Sequence, residues 1–148
     1  MVIKKLEPEK MDSAIELVWK VFQEYEAPDY PVDGVTTFYN CIHDSLFLAT
    51  LKFYGAFERD KLIGVIATRS AGSHISLFFV ESSYQQKGIG RLLFEKVLLE
   101  TSSPVITVHS SPYAVEVYHK LGFVDRDKEQ LTAGIRYTPM QYIKDKLK

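Results

Sequence analysis

The sequence predicts a mixed α/β fold. Three observations carry that expectation. Apolar residues recur at helical spacing in separate stretches, short β-branched or aromatic runs lie between them, and no Pro/Gly/Ser-rich linker divides the 148 residues. A chain of this length suits one domain around one core, so residues 1–148 are read as a single domain.

The elements follow in order. Residues 2–6 form a short first strand. Pro8 suits the first turn of a helix. Met11, Ala14, Ile15, Val18, Trp19 and Phe22 carry that helix to about Tyr25. The stretch 26–34, with two prolines and a glycine, is a loop, and a second helix covers 34–43. SLFLATLK, 45–52, suits helix or strand equally. Residues 53–70 are two strands around a tight turn at Arg59–Lys61. HISLFFVE, 74–81, is too apolar to have a solvated face, which makes it a central strand. Ile89, Leu92, Leu93 and Val97 mark the next helix, and a short strand follows at Pro104–His109. Ala114, Val117, Tyr118 and Leu121 mark the buried face of a last helix, which stops at Gly122. Two strands near 122–127 and 134–143 close the chain.

Composition narrows the function. The chain is 46% hydrophobic and 25% charged with a net charge of −1, so neither nucleic acid nor an anionic membrane is the expected partner. Cys41 is the only cysteine, which excludes an internal disulfide and a multi-cysteine zinc site. The N-terminus lacks a signal-like apolar stretch, and no run approaches membrane-spanning length; a cytoplasmic protein is expected.

The informative stretch is SSYQQKGIGRLL, 82–93. A strand that leads through Gly-x-Gly into a helix leaves unpaired N–H groups at the helix start, where the dipole adds partial positive charge. That arrangement binds anions, phosphate above all. Gly88 and Gly90 have no Cβ to keep a pyrophosphate off the main chain, and Lys87 and Arg91 add charge at the rim. The same spacing also serves a glycine turn packed tightly between strand and helix. A P-loop is absent, and residue 93 is Leu where a Rossmann fingerprint needs glycine.

Gln85-Gln86-Lys87-Gly88-Ile89-Gly90 resembles the Gln/Arg-x-x-Gly-x-Gly/Ala motif of the GCN5-related N-acetyltransferases. Ala114 to Phe123 resembles that family's A-x-x-x-Y-x-x-x-G-F helix, in the right order and at the right spacing. The resemblance implies a twisted, mostly antiparallel sheet of six or seven strands with about four helices, in which strands 74–81 and 104–109 splay apart. It implies transfer of the acetyl group of acetyl-CoA to a primary amine by direct attack in a ternary complex, without a metal. The pyrophosphate would lie on the backbone of Gln85, Gln86, Lys87, Gly88, Ile89, Gly90 and Arg91. The pantetheine arm would bond along Phe79 and Val80 as an added strand does. The Val80 N–H would polarise the thioester, and Tyr118 would be the general acid. Ser111 stands where many members carry the asparagine that contacts pantetheine, and its hydroxyl reaches less far.

An amine is a nucleophile only when neutral, and with a pKa of about 10.4 it is almost wholly protonated at pH 7, so a base is needed. His74 occupies the position of a carboxylate that some members use, and Glu81 is the next candidate. His109 ends the second splayed strand and faces the thioester or simply bonds Ser110 or Ser111. His43 and His119 are expected at the surface. The acceptor, a small molecule or a peptide, is expected over the first two helices, where Glu24, Glu26, Asp29 and Asp33 interleave with Tyr25, Tyr30, Phe38 and Tyr39. Carboxylates and aromatic faces both suit a cation. A solvated acidic loop is the plainer reading of that stretch. The closing strand covers the acceptor side or supports a homodimer; a monomer is equally compatible. A non-catalytic acyl-CoA sensor and another nucleotide-binding module are the alternatives. The Tyr118 block argues against the second.

Overall fold

The computed structural model describes residues 1–144. The strands are β1 (Val2–Lys5), β2 (Lys52–Glu58), β3 (Lys61–Arg69), β4 (His74–Val80), β5 (Val105–Ser110), β6 (Val124–Asp125), β7 (Gln130–Thr132) and β8 (Ile135–Ile143). The α-helices are α1 (Met11–Tyr25), α2 (Val32–Ile42), α3 (Ser45–Ala49), α4 (Ile89–Glu100) and α5 (Val115–Leu121). The sheet runs β1-β2-β3-β4-β5-β8-β6, with β7 paired to β8. Every pairing is antiparallel except that of β4 with β5.

Two apolar layers sandwich this sheet. Ala14, Leu17, Val18, Val21 and Phe22 of α1 pack with Val65, Leu77 and Phe79 on one face. Leu93, Phe94 and Val97 of α4 join Tyr118, Leu121 and Phe123 on the other. β4 feeds both layers, which is why its sequence has no polar face.

The splay begins at a bulge. Ala67 pairs with Leu77 and Thr68 with Ile75, so Ser76 has no partner on β3. β4 pairs with β5 only at His74–Thr107 and Ile75–Val108. β5 then stays with β8 while β4 stays with β3, and the far edge of β4 opens. The Glu81 N–H donates to Ile63 O at 2.8 Å on the β3 side. Alternation therefore turns the main-chain groups of Val80 and Phe78 toward the open edge.

The fold differs from expectation in several places. There are eight strands and five α-helices among the described residues. The ambiguous stretch 45–52 becomes α3 and then the start of β2, because the Asp44 carboxylate accepts from the Leu46 N–H at 2.9 Å and caps a short helix. A 3-10 turn at Pro8–Lys10 precedes α1, and α2 begins at Val32. β7 was not anticipated; its hairpin to β8 turns through Ala133 and Gly134, both at positive φ. Leu92 and Val117 are 41% and 46% exposed, because the buried stripes run through Leu93–Phe94 and Tyr118–Leu121 instead.

The β7–β8 hairpin closes over the first two helices. Gly34 and Gly134 meet backbone to backbone, and a Cβ on either would strike the other's main chain. Thr37 donates to Ala133 O at 3.1 Å, Arg136 to Asp29 O at 2.7 Å, and Tyr30 to Arg136 O at 3.3 Å.

Candidate active site

The opened edge of β4 forms one wall of a cavity of about 360 Å³. Phe22 and Glu26 of the α1 end, with Phe38 of α2, form the second wall. Ser111 and Tyr118 stand at one end, and Arg69, His74 and His109 at the other. Ala133, Ile135 and Tyr137 of the hairpin cover it.

Beside this cavity lies the start of α4. Gly88 is its N-cap in the left-handed region at φ 84, and a Cβ there would meet nothing within 4 Å. Leu92 N donates to Gly88 O, so the N–H groups of Ile89, Gly90 and Arg91 have no carbonyl within the helix. Ile89 is buried and anchors this first turn. A Cβ on Gly90 would touch the Phe78 ring at 3.5 Å. The glycines thus do different work: Gly88 supplies a backbone angle and open space, and Gly90 lets the helix start lie against β4. The exposed Gln86 also sits at positive φ, 61°. Lys87 is exposed, with its ammonium 5.6 Å from the Tyr84 ring. The set of outward N–H groups, open space and the exposed Lys87 ammonium can hold a pyrophosphate.

A family model described as Acetyltransferase (GNAT) domain matches residues 26–144. The chain belongs to the GNAT acetyltransferase family. No curated protein matches it in sequence. Among solved structures, it is similar to a GCN5-related N-acetyltransferase of Rhodopseudomonas palustris, with 17% identity over 96% of this chain and 94% of the other and a TM-score of 0.83. PaiA N-acetyltransferase of Thermoplasma acidophilum, solved with coenzyme A, is 21% identical over 97% and 98% of the two chains, with a TM-score of 0.72. The apo form of YjaB from Escherichia coli is 20% identical over 96% and 98%, with a TM-score of 0.74. At these identities the likeness establishes the fold.

In this GNAT chain the residues singled out in the sequence fall into distinct groups. Val80, Ser111, Tyr118, Tyr30, His74 and His109 come together around the cavity or its open edge. Phe79 also lines the cavity, but with its ring; its main-chain groups turn to β3, because the open edge belongs to its neighbours Phe78 and Val80. Gln85 is fully engaged: its amide donates to Val80 O at 3.0 Å and accepts from the Tyr113 hydroxyl at 3.1 Å. It therefore braces the strand end. Arg91 departs from the rim, since its guanidinium donates to Lys120 O at the end of α5 at 2.9 Å.

Five acceptor candidates, Glu24, Tyr25, Asp29, Asp33 and Tyr39, lie off the cavity wall. Glu24 and Asp29 are exposed, and Tyr25 stacks on Tyr113 with ring centroids 4.9 Å apart. Glu26, between them in sequence, is the carboxylate that reaches the cavity. Burial pushes its carboxyl up to about 7; the Ser111 hydroxyl pulls the other way, and Asp29 adds to the rise. The Ser111 oxygen already accepts from Ala114 N at 3.2 Å, which leaves its hydrogen for Glu26. His43 and His119 are at the surface, as expected.

The two base candidates have unlike surroundings. Burial first, then the charges of Arg69 and His109, bring the His74 imidazole down to about 4. Its Nδ1 is engaged with the Thr107 hydroxyl at 2.7 Å. Glu81 holds Lys20 at 3.0 Å, and that ion pair keeps its carboxyl below the usual range. A neutral, weakly basic imidazole and an ion-paired carboxylate are both poor proton acceptors near neutrality. Tyr118 is buried, and burial followed by the nearby Glu26 charge holds its phenol far above the usual range. It is protonated at any working pH.

Arg69 is the charged group in this cavity that sequence reasoning did not name; Glu26 was named there only as one of the acceptor carboxylates, not as a base. Glu26 had one legible signal, its place among aromatic residues in the loop after α1. Arg69 had none.

Proposed function

We propose that this chain transfers the acetyl group of acetyl-CoA to a primary amine held in the cavity, by direct attack in a ternary complex. The observation that carries the reading is the open Val80–Phe78 edge, flanked by the unpaired N–H groups of α4 and by a cavity that holds Glu26 and Tyr118. The backbone of Gly88 to Arg91, with Lys87, holds the pyrophosphate. The pantetheine arm lies along the β4 edge as an added strand.

Each residue then has a task. The Val80 N–H donates to the carbonyl oxygen as negative charge develops there. Glu26 accepts the proton of the attacking nitrogen, which becomes acidic as its bond to carbon forms. Its raised value lies near neutrality, where a base is both ionised and able to hold a proton. Tyr118 donates its hydroxyl hydrogen to the departing thiolate, whose pKa is about 8.5 by analogy with cysteine. The two groups act in sequence. While Glu26 is charged it holds the Tyr118 phenol up; once Glu26 is protonated that effect disappears, and Tyr118 becomes a better acid as the thiol leaves. A chain with one cysteine has no use for an oxidising compartment, which fits a cytoplasmic setting.

Free-thiol release from acetyl-CoA in the presence of a panel of primary amines tests this reading. The expected result is release that depends on both the protein and an amine. Binding of acetyl-CoA with no amine-dependent release would make the chain a sensor instead.

A further inference from the structure

The cavity has two chemically different ends. Glu26, Ser111 and Tyr118 stand at one, and Arg69 at the other. The Arg69 guanidinium forms no salt bridge with any carboxylate among the described residues. No carboxylate lines this end of the wall; Asp44, which acts on Cys41, lies off it. His74 and His109, ring centroids 5.0 Å apart, both feel the Arg69 charge, and both are driven toward the neutral form by burial first and Arg69 second. Cys41, also on this part of the wall, is raised by burial first and the Asp44 charge second, and so stays a neutral thiol near pH 7. A cation entering this end meets a guanidinium with no carboxylate on the wall to offset it. An anion meets a fork of unshared donors.

We propose that the acceptor carries a carboxylate, bound by Arg69, at the opposite end from its reacting amine. The proposal rests on the acyl-transfer reading and names the class of amine. One guanidinium beside neutral side chains matches one negative charge, which favours a carboxylate over a phosphate dianion. Its position also sets a length. Arg69 pairs with His74, and Phe78 lies against Tyr118 with ring centroids 5.9 Å apart. Four residues of strand separate His74 from Phe78, about 13 Å at roughly 3.3 Å per residue. With Arg69 at one end of that span and the reacting groups at the other, anion and amine lie on the order of 10 Å apart. An α-amino acid reacting at its α-nitrogen is too short. The distance suits an amine at the end of a long side chain or an aliphatic ω-amino acid, or the N-terminus of a short peptide. Phe22, Phe38 and Phe79 line the path between the ends and favour an apolar middle.

The experiment compares 6-aminohexanoate and 8-aminooctanoate with hexylamine and octylamine as acceptors, and adds glycine and a tripeptide. The wild type should favour the long amino acids over the matched neutral amines by about tenfold or more in kcat/KM, the scale of one charge-assisted hydrogen bond. Arg69→Gln should collapse that ratio toward one through KM, with the affinity for CoA retained as a check on folding. Turnover of the tripeptide alone would assign the carboxylate to peptides; turnover of the ω-amino acids would assign it to small molecules. A ratio near one in the wild type, a ratio unchanged in Arg69→Gln, or a preference for glycine would overturn the proposal. Calorimetry with the product analogue 6-acetamidohexanoate reads the Arg69 end without catalysis. Binding that is lost in Arg69→Gln supports the proposal even if no amine turns over, in which case acyl transfer alone falls. Equal binding, or none, to both proteins overturns it.

Discussion

Glu26 and Tyr118 face one cavity from opposite layers of the fold, one at the end of α1 and one in α5, and the carboxylate charge raises the phenol's pKa. The sequence motif marks Tyr118 as the acid, but nothing in the sequence marks Glu26 as its partner. Their shared burial couples them, and most of the expected behaviour of the protein follows from that coupling.

Replacement of Glu26 by glutamine removes the base and keeps the shape. Amine-dependent turnover should fall by about a hundredfold or more, the usual contribution of a positioned base. In the wild type kcat/KM should rise with pH through about 7, as the Glu26 carboxyl loses its proton. Glu26→Gln should lack that rise and keep only the climb toward higher pH that belongs to the amine itself. A pH–rate profile of both proteins checks this.

The same substitution has a signature in stability. Glu26 has its ordinary value near 4.5 when unfolded and about 7 when folded, so the native state holds its proton more tightly. Below pH 4.5 the carboxyl is neutral in both states; above pH 7 the native state carries a buried charge. Wild-type stability is therefore lowered as pH rises across that window. Glu26→Gln has no such loss and should gain on the wild type between pH 4.5 and 7. Urea unfolding at the two ends of the window measures the difference.

Tyr118→Phe removes only the donor hydroxyl from a side chain that also packs on Phe123 at 5.2 Å. Turnover should drop by roughly a hundredfold, with stability and CoA affinity nearly unchanged. Unaltered turnover would take Tyr118 out of the acid role.

Gly88→Glu sets a negative charge at the start of α4 and forces a side chain onto a backbone at φ 84. CoA binding should be lost. Gly88→Ala meets nothing within 4 Å and should lose only about 1 kcal/mol to backbone strain. Calorimetric titration with CoA separates charge from strain.

Gly34→Ala drives a Cβ into the main chain of Gly134. The hairpin that covers the cavity cannot seat, and the expected loss is about 1–3 kcal/mol in thermal or urea unfolding. Because Thr37, Tyr30 and Arg136 tie the same cover down, acceptor KM should rise as well.

What the sequence disclosed follows from how local each feature is. The Gln85–Gly90 stretch and the Ala114–Phe123 helix are short, and their spacing alone dictates a helix start and a buried tyrosine. The central position of β4 was legible from its unbroken apolar run. Glu26 was legible only as an acceptor-side carboxylate; its role as a base was hidden because its environment is assembled from α1, Ser111 and the hairpin, which meet only in three dimensions. Arg69 was hidden for the same reason: at the exposed end of a strand it reads as a surface cation. The β7 strand escaped because its residues are exposed and its turn uses Ala133 at positive φ, a position where glycine or asparagine is the usual signal.

The central claim is acetyl transfer from acetyl-CoA to an amine at this edge of β4. Mass spectrometry of the products formed from acetyl-CoA and a mixture of primary amines tests it most directly. An acetylated amine in amounts equal to the CoA released, absent with Gly88→Glu, is the result predicted. CoA that binds the wild type while no acetylated amine forms, whatever amines are supplied, would contradict it.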